Sequence, residues 1–178
     1  MPTRVRILRN RVPAVRANLE REAKVRVGRA AHALRDAMRA DLDGGKLPLG
    51  PDTGALSASL FVQEEAGSDY GASAARAQSA YVGGGRWQEP VREHVSPEAY
   101  TAAHFQARLG PEEPLPAPGP HRAFAGVATA LAYGGWWQWG HFNAFTRRDE
   151  GPRDWFAGPS EAWLRANLAR QFARLRLT

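Results

Sequence analysis

Residues 13–45 read PAVRANLEREAKVRVGRAAHALRDAMRADLDGG, and this stretch decides the fold. Val15, Leu19, Ala23, Val27, Ala31, Leu34, Met38 and Leu42 recur every three or four residues. That spacing lays one apolar stripe along an amphipathic helix. Pro13 suits the first turn, where a missing N–H costs nothing. Gly44-Gly45 supplies the stop, because a chain leaving a helix needs a residue that enters the left-handed region freely. The predicted helix covers 13–44, a rod of about 45 Å. Arg16, Arg21, Arg26, Arg29, Arg35 and Arg39 flank the stripe, and its alanines allow another backbone to approach.

Before the helix, Arg4-Val5-Arg6-Ile7 alternates charged and apolar residues, so 1–12 reads as an extended arm. After it, 46–54 is a turn-rich link, and Ala55–Val62 starts ambiguously but ends as a strand. Small polar residues at 66–79 (Gly67, Ser68, Gly71, Ser73) predict a mobile loop. Tyr81-Val82 is expected to open a short strand, which makes 46–82 turn, strand and loop. Residues 83–122 read as an insertion with one helix, from a Ser96 cap and Pro97 to about Leu109. Five prolines between Pro111 and Pro120 then predict a stiff linker.

The remaining chain, 123–178, carries aromatic strands and a helix. Ala123–Tyr133 is expected as a buried strand, and Trp136-Trp137-Gln138-Trp139 as a second strand or an aromatic ridge. Residues 146–154 read as a charged turn. Gly158-Pro159-Ser160-Glu161 starts a final helix whose stripe is Trp163 or Leu164, Leu168, Phe172 and Leu175. The fold class is therefore α+β in a single domain. A long N-terminal helix and a C-terminal helix pack on a small, mainly antiparallel β-sheet, with an inserted loop and helix region.

Composition narrows the chemistry. Hydrophobic residues make up 43% and charged residues 24%, which is globular rather than disordered. With no Cys, disulfides, thiolate metal sites and Cys nucleophiles are excluded. The net charge of +6 suits nucleic acid or acidic protein partners. The longest uncharged stretch, 123–146, holds His, Asn, Gln and several Gly, so no membrane partner is expected. The basic N-terminus lacks a following apolar stretch with a cleavage site, so no signal peptide is expected.

The candidate catalytic signals are weak. Asp52-Thr53-Gly54-Ala55 matches the active-site loop of retroviral-type aspartic proteases, where two carboxylates share one proton. Those enzymes place an apolar strand before the Asp, whereas Leu49-Gly50-Pro51 precedes it here. His32, His94, His104, His121 and His141 show no metal-ligand spacing. Gly83-Gly84-Gly85 lacks the following Lys-Ser/Thr of a phosphate loop. The cluster of Trp136, Trp137 and Trp139 suits a core or an interface better than base stacking. No catalytic residue, metal or cofactor is expected. Asp52 or Thr53 instead caps the next segment, Gly54 allows the turn, and Leu56 and Leu60 pack beneath the first helix. Gly140 frees the chain to turn after the aromatic stretch, and Phe156 and Pro159 anchor the entrance of the last helix.

Three segments, in this order, resemble the tail-completion proteins of siphophages. The long Ala/Arg-rich helix is followed by Pro51-Asp52-Thr53-Gly54-Ala55-Leu56-Ser57-Ala58-Ser59-Leu60. This is similar to the family's Pro-x-Asp-Thr-Gly-x-Leu-x-x-Ser-Ile, with one residue missing after the Pro and Leu in place of Ile. Tyr133, then Trp137-Gln138-Trp139-Gly140-His141, resembles the family's Tyr-Ala followed by Glu-Tyr-Gly-His, with Gln138 where the family has an acid. Trp155-Phe156-Ala157-Gly158-Pro159-Ser160 resembles a Pro-Phe-Leu-x-Pro-Ala entrance to a terminal helix, without its first Pro.

The resemblance covers about half the chain. It implies a virion protein at the head-tail joint, assembled in the host cytoplasm as a homo-oligomeric ring, a hexamer matching the tail tube. The implied partners are the tail tube, the tail terminator and the head connector or stopper, with packaged DNA in the channel. The alternative from charge and aromatics is a basic nucleic-acid-binding module.

Overall fold

The computed structural model describes residues 11–47, 54–83, 105–106, 108–115, 122–132, 134, 138, 141–143, 148–151 and 153–173. The arm at 1–10, Pro51, Asp52, Thr53, the start of the helix expected from Pro97, and Tyr133, Trp136, Trp137, Trp139 and Gly140 lie outside these residues.

The first helix, α1, spans Val12–Asp43, close to its predicted bounds. It leaves through a Schellman turn. Lys46 N donates to Asp41 O at 2.9 Å and Gly45 N to Leu42 O at 3.1 Å, with Gly45 at φ 66°. A short helix α2 (Ala55–Ser59) runs directly into β1 (Leu60–Glu64), which accounts for the ambiguous start of that apolar run. A two-residue turn leads to β2 (Gly67–Ser68), followed by α3 (Tyr70–Gly83) and later β3 (Ala125–Thr129). The hairpin β4 (His141–Asn143) and β5 (Arg148–Glu150) precedes the last helix, α4 (Ala157–Phe172).

The main sheet has the order β2-β1-β3 and is antiparallel, with Leu60 opposite Thr129 and Val62 opposite Val127. Successive side chains of β1 point to opposite faces. Leu60 packs with Leu34, Met38 and Leu42 of α1 and with Trp155. Phe61 packs with Ala74 of α3 and with Ala130. The first three residues of the strand are thus covered on both faces, which is why Leu60, Phe61 and Val62 are consecutive apolar residues instead of an alternation. Each fully buried Leu, Met or Phe here contributes about 1.5–3 kcal/mol. Three layers result: α1 with α4 packed along it, the sheet, and α3.

The α+β expectation with two flanking helices holds, and five local expectations need correction. Residues 66–79 are β2 and most of α3, not a loop. Alanine is the strongest helix former, and Ser73, Ala74 and Ala77 are small enough for α3 to sit close on the sheet. Tyr81 ends that helix and does not open a strand. Arg148–Glu150 forms β5, so the expected charged turn is partly a strand. Gln138 has helical backbone, which goes against the strand alternative for the Trp136–Trp139 stretch. The predicted strand 123–133 shortens to Ala125–Thr129, because the chain bends at Ala130.

The end of the expected insertion is tied into this body. Phe105 is fully buried against Ala77, Tyr81 and Leu131. Leu109 bridges Leu131, with Gly110 N donating to Ala130 O and Ala132 N to Arg108 O, both at 2.9 Å. Farther on, a Cβ at Gly126 would lie 3.1 Å from Leu115 Cδ2, so Leu115 lies against the face of β3 that Phe61 shares.

Candidate functional site

Of the motif residues, Gly54, Leu56, Leu60, Phe156 and Pro159 fall in described segments. They gather at two junctions beside α1. At the first, Gly54 takes φ +73° and opens α2, with Ala58 N donating to Gly54 O at 2.9 Å. An L side chain is strained in that conformation, which explains the glycine. Leu60 is fully buried in the α1 cluster, and Leu56 packs against both that cluster and the one around Tyr81 and Phe105. These placements agree with the roles expected for Leu56 and Leu60.

Sequence reasoning missed the residue that locks this junction. Arg39 reaches from α1 over the end of α2, donating to Ser57 O at 3.2 Å, to Ala58 O at 3.4 Å and to Leu60 O. These carbonyls lie where a five-residue helix gives way to a strand; the Leu60 N–H serves Ser57 O, and Arg39 adds a side-chain donor. Burial, and then the nearby Arg35 and Arg76, lower the Arg39 pKa. A guanidinium stays charged regardless. The signal for it was slight: Arg39 directly follows Met38 on the border of the apolar stripe.

A polar hub adjoins this junction. Asp69 Oδ1 accepts from Val62 N at 2.6 Å, and Oδ2 accepts from Arg35 Nη1 at 2.7 Å. Arg76 Nη2 stands 3.9 Å away. Asp69 thus joins α1, the sheet and the start of α3, with Ser73 N donating to its carbonyl at 2.9 Å. Ser59 Oγ and Thr129 Oγ1 share a hydrogen bond of 2.7 Å across the sheet.

The second junction is the entrance to α4. Phe156 is the residue before the helix, and Pro159 sits in its first turn. Trp155 is fully buried, and its Nε1 donates to Gly134 O at 3.0 Å. Gln138 is also buried, and its Oε1 accepts from Phe156 N at 3.0 Å and Ala157 N at 3.4 Å. Its Nε2 donates to Asp154 Oδ1 at 3.1 Å, which in turn accepts from Gly158 N at 2.8 Å. The Asp154 carboxyl is held below its ordinary pKa, chiefly by the Gly158 N–H and then by Gln138. Gln138 stands where the resembled family has an acid. Beside Asp154 an ionised Glu could not donate, and the two carboxylates would repel.

These arrangements hold backbone ends, and their groups are engaged with one another. His32 Nε2 lies 2.9 Å from Glu64 Oε1 on the flank of α1, in keeping with a surface role. Among the described residues no three His, Asp or Glu side chains gather as a metal site would require. Among those residues, too, no helix is long and apolar enough to cross a membrane. Compared with known protein families, curated proteins and solved structures, the chain matches none.

Proposed function

We infer that this chain is a structural subunit of a tailed-phage particle. It acts in the neck, where a ring of copies completes the tail and joins the tail tube to the head connector around a DNA channel. Six copies match the symmetry of a tail tube, and a closed ring uses heterologous interfaces. The observation that carries the reading is the Pro51–Leu60 segment behind a long helix. Gly54 takes the left-handed turn there, and Leu56 and Leu60 go under α1. Support also comes from the polar groups at both junctions, which serve to fix helix ends.

Mass photometry of the pure protein, alone and with isolated tail tubes, tests this. A discrete oligomer and decorated tube ends are expected. A monomer that ignores the tubes at all concentrations contradicts it.

One observation favours a second reading, a nucleic-acid-binding module. The N-terminal part of α1 presents Arg11, Arg16, Arg21 and Arg29, of which Arg16 pairs with Glu20 at 3.2 Å. A free subunit of that kind binds duplex DNA with an affinity that falls steeply as salt rises.

A further inference from the structure

Helix α1 has two unlike halves. From Gly28 onward its stripe is buried: Leu34 is 6% exposed and Met38 2%. The same stripe continues toward the N-terminus through Leu19 and Val15 to Val12, and there it is exposed, at 38%, 39% and 70%. Among the described residues, the cover supplied by α4 runs as far as Arg26, whose Nη1 donates to Gln171 O at 2.8 Å. From Arg26 back to Val12 is about 21 Å of helix at the standard rise.

The exposed half is strongly basic. Residues 11–29 hold Arg11, Arg16, Arg21, Lys24, Arg26 and Arg29 against Glu20 and Glu22, a net of four positive charges. Its first turn holds no acidic residue, so these cations add to the positive end of the helix dipole instead of offsetting it. Two such halves placed side by side repel each other, which disfavours a second copy as the occupant. DNA would answer the charge and leave the Val15-Leu19 stripe in water.

We propose that the N-terminal half of α1 is a docking surface for an acidic protein partner. That partner presents an apolar helix face flanked by Asp and Glu. Its apolar seam covers Val12, Val15 and Leu19, and its carboxylates meet Arg11, Arg16 and Arg21 and the helix N-terminus. This gives a chemistry to a partner contact of the neck role, but it stands on α1 alone and can survive the failure of that role.

The test uses the full chain and three labelled probes in fluorescence anisotropy. They are a 21-residue amphipathic peptide with a Leu seam and Glu flanks, the same peptide with Lys flanks, and a 20-base-pair DNA duplex. The Glu-flanked peptide is expected to bind at least tenfold tighter than the Lys-flanked one, and more weakly as salt rises. Val15→Asp with Leu19→Asp is expected to weaken it at least tenfold with an unchanged melting temperature, because both side chains are already exposed. Arg16→Glu with Arg21→Glu is expected to do the same. Equal binding of both peptides, no binding of the acidic one, or binding that ignores Val15→Asp/Leu19→Asp overturns the proposal. So does DNA binding tighter than that of the acidic peptide. A concentration-dependent dimer that Val15→Asp/Leu19→Asp dissolves would assign the surface to a second copy and overturn it too.

Discussion

Gln138 and Asp154 hold the entrance of α4 together, Nε2 donating to Oδ1 at 3.1 Å. Gln138 is the only member of the pair that both donates and accepts, since its Oε1 also takes the Phe156 N–H. Gln138→Ala is expected to cost about 1–3 kcal/mol, because buried polar groups lose their partner. Gln138→Glu removes the donated bond and sets two carboxylates against each other at neutral pH. Its penalty should shrink as acidification protonates the new Glu and restores a donor. Thermal melts of both variants between neutral and acidic pH check this.

Asp154 itself gives a pH signature. Its folded-state pKa lies below its ordinary value, held there first by the Gly158 N–H and then by Gln138. The unfolded chain therefore binds the proton more readily, and stability rises with pH across the window. The contribution is complete above the ordinary carboxylate value of about 4 and is lost as pH falls through the lower, folded-state value. The melting-temperature gap between the wild type and Asp154→Asn should be widest near neutral pH and close in acid. A gap that stays constant would mean that the ionised form is not what matters.

Arg39 carries the junction between α2 and β1. Arg39→Met keeps much of the packing but removes the side-chain donor from the Ser57 and Ala58 carbonyls, of which Ser57 O retains the Leu60 N–H, at a cost of about 1–3 kcal/mol. Arg39→Lys should recover only part, because one ammonium cannot fork across carbonyls three residues apart. Leu60 O keeps a second donor in Ser73 Oγ at 3.1 Å, which limits the loss. Urea unfolding should show lower midpoints with unchanged slopes.

Gly134 approaches Thr129 too closely for any side chain. A Cβ there would stand 2.6 Å from Thr129 Cγ2 and 3.4 Å from Trp155 Cζ2. Gly134→Ala is expected to destabilise by about 1–3 kcal/mol through overpacking. Thr129→Ser deletes the obstructing methyl and keeps the hydroxyl that accepts from Leu131 N at 3.1 Å and meets Ser59. The double variant should therefore lose less than the two single variants summed, a coupling that a double-mutant cycle measures.

The frame was legible in the sequence where periodicity and burial coincide. Ala31, Leu34, Met38 and Leu42 announce α1, and Gly44-Gly45 its end. Val15 and Leu19 obey the same spacing yet stay exposed, because the reach of α4 along α1 is a tertiary fact. Helix α3 was hidden for a different reason. Its buried positions are Ser73, Ala74, Ala77 and Tyr81, and the first three are small residues close behind Gly67, Ser68 and Gly71, so they show no large apolar stripe although they fall at helical spacing. Gly54, Leu56 and Leu60 were readable from local turn and core chemistry. Arg39 and Gln138 were not, because the backbone groups they satisfy lie 18 to 21 residues away in sequence.

The most direct test of the proposed role is genetic. On the proposed role, an amber mutation in this gene, placed in a phage genome that carries it, should give full heads and separate tails by electron microscopy under non-suppressing conditions. Joined particles should return when the protein is supplied in trans, and mass spectrometry should find it in them. Joined, infectious virions that lack the polypeptide would contradict the account.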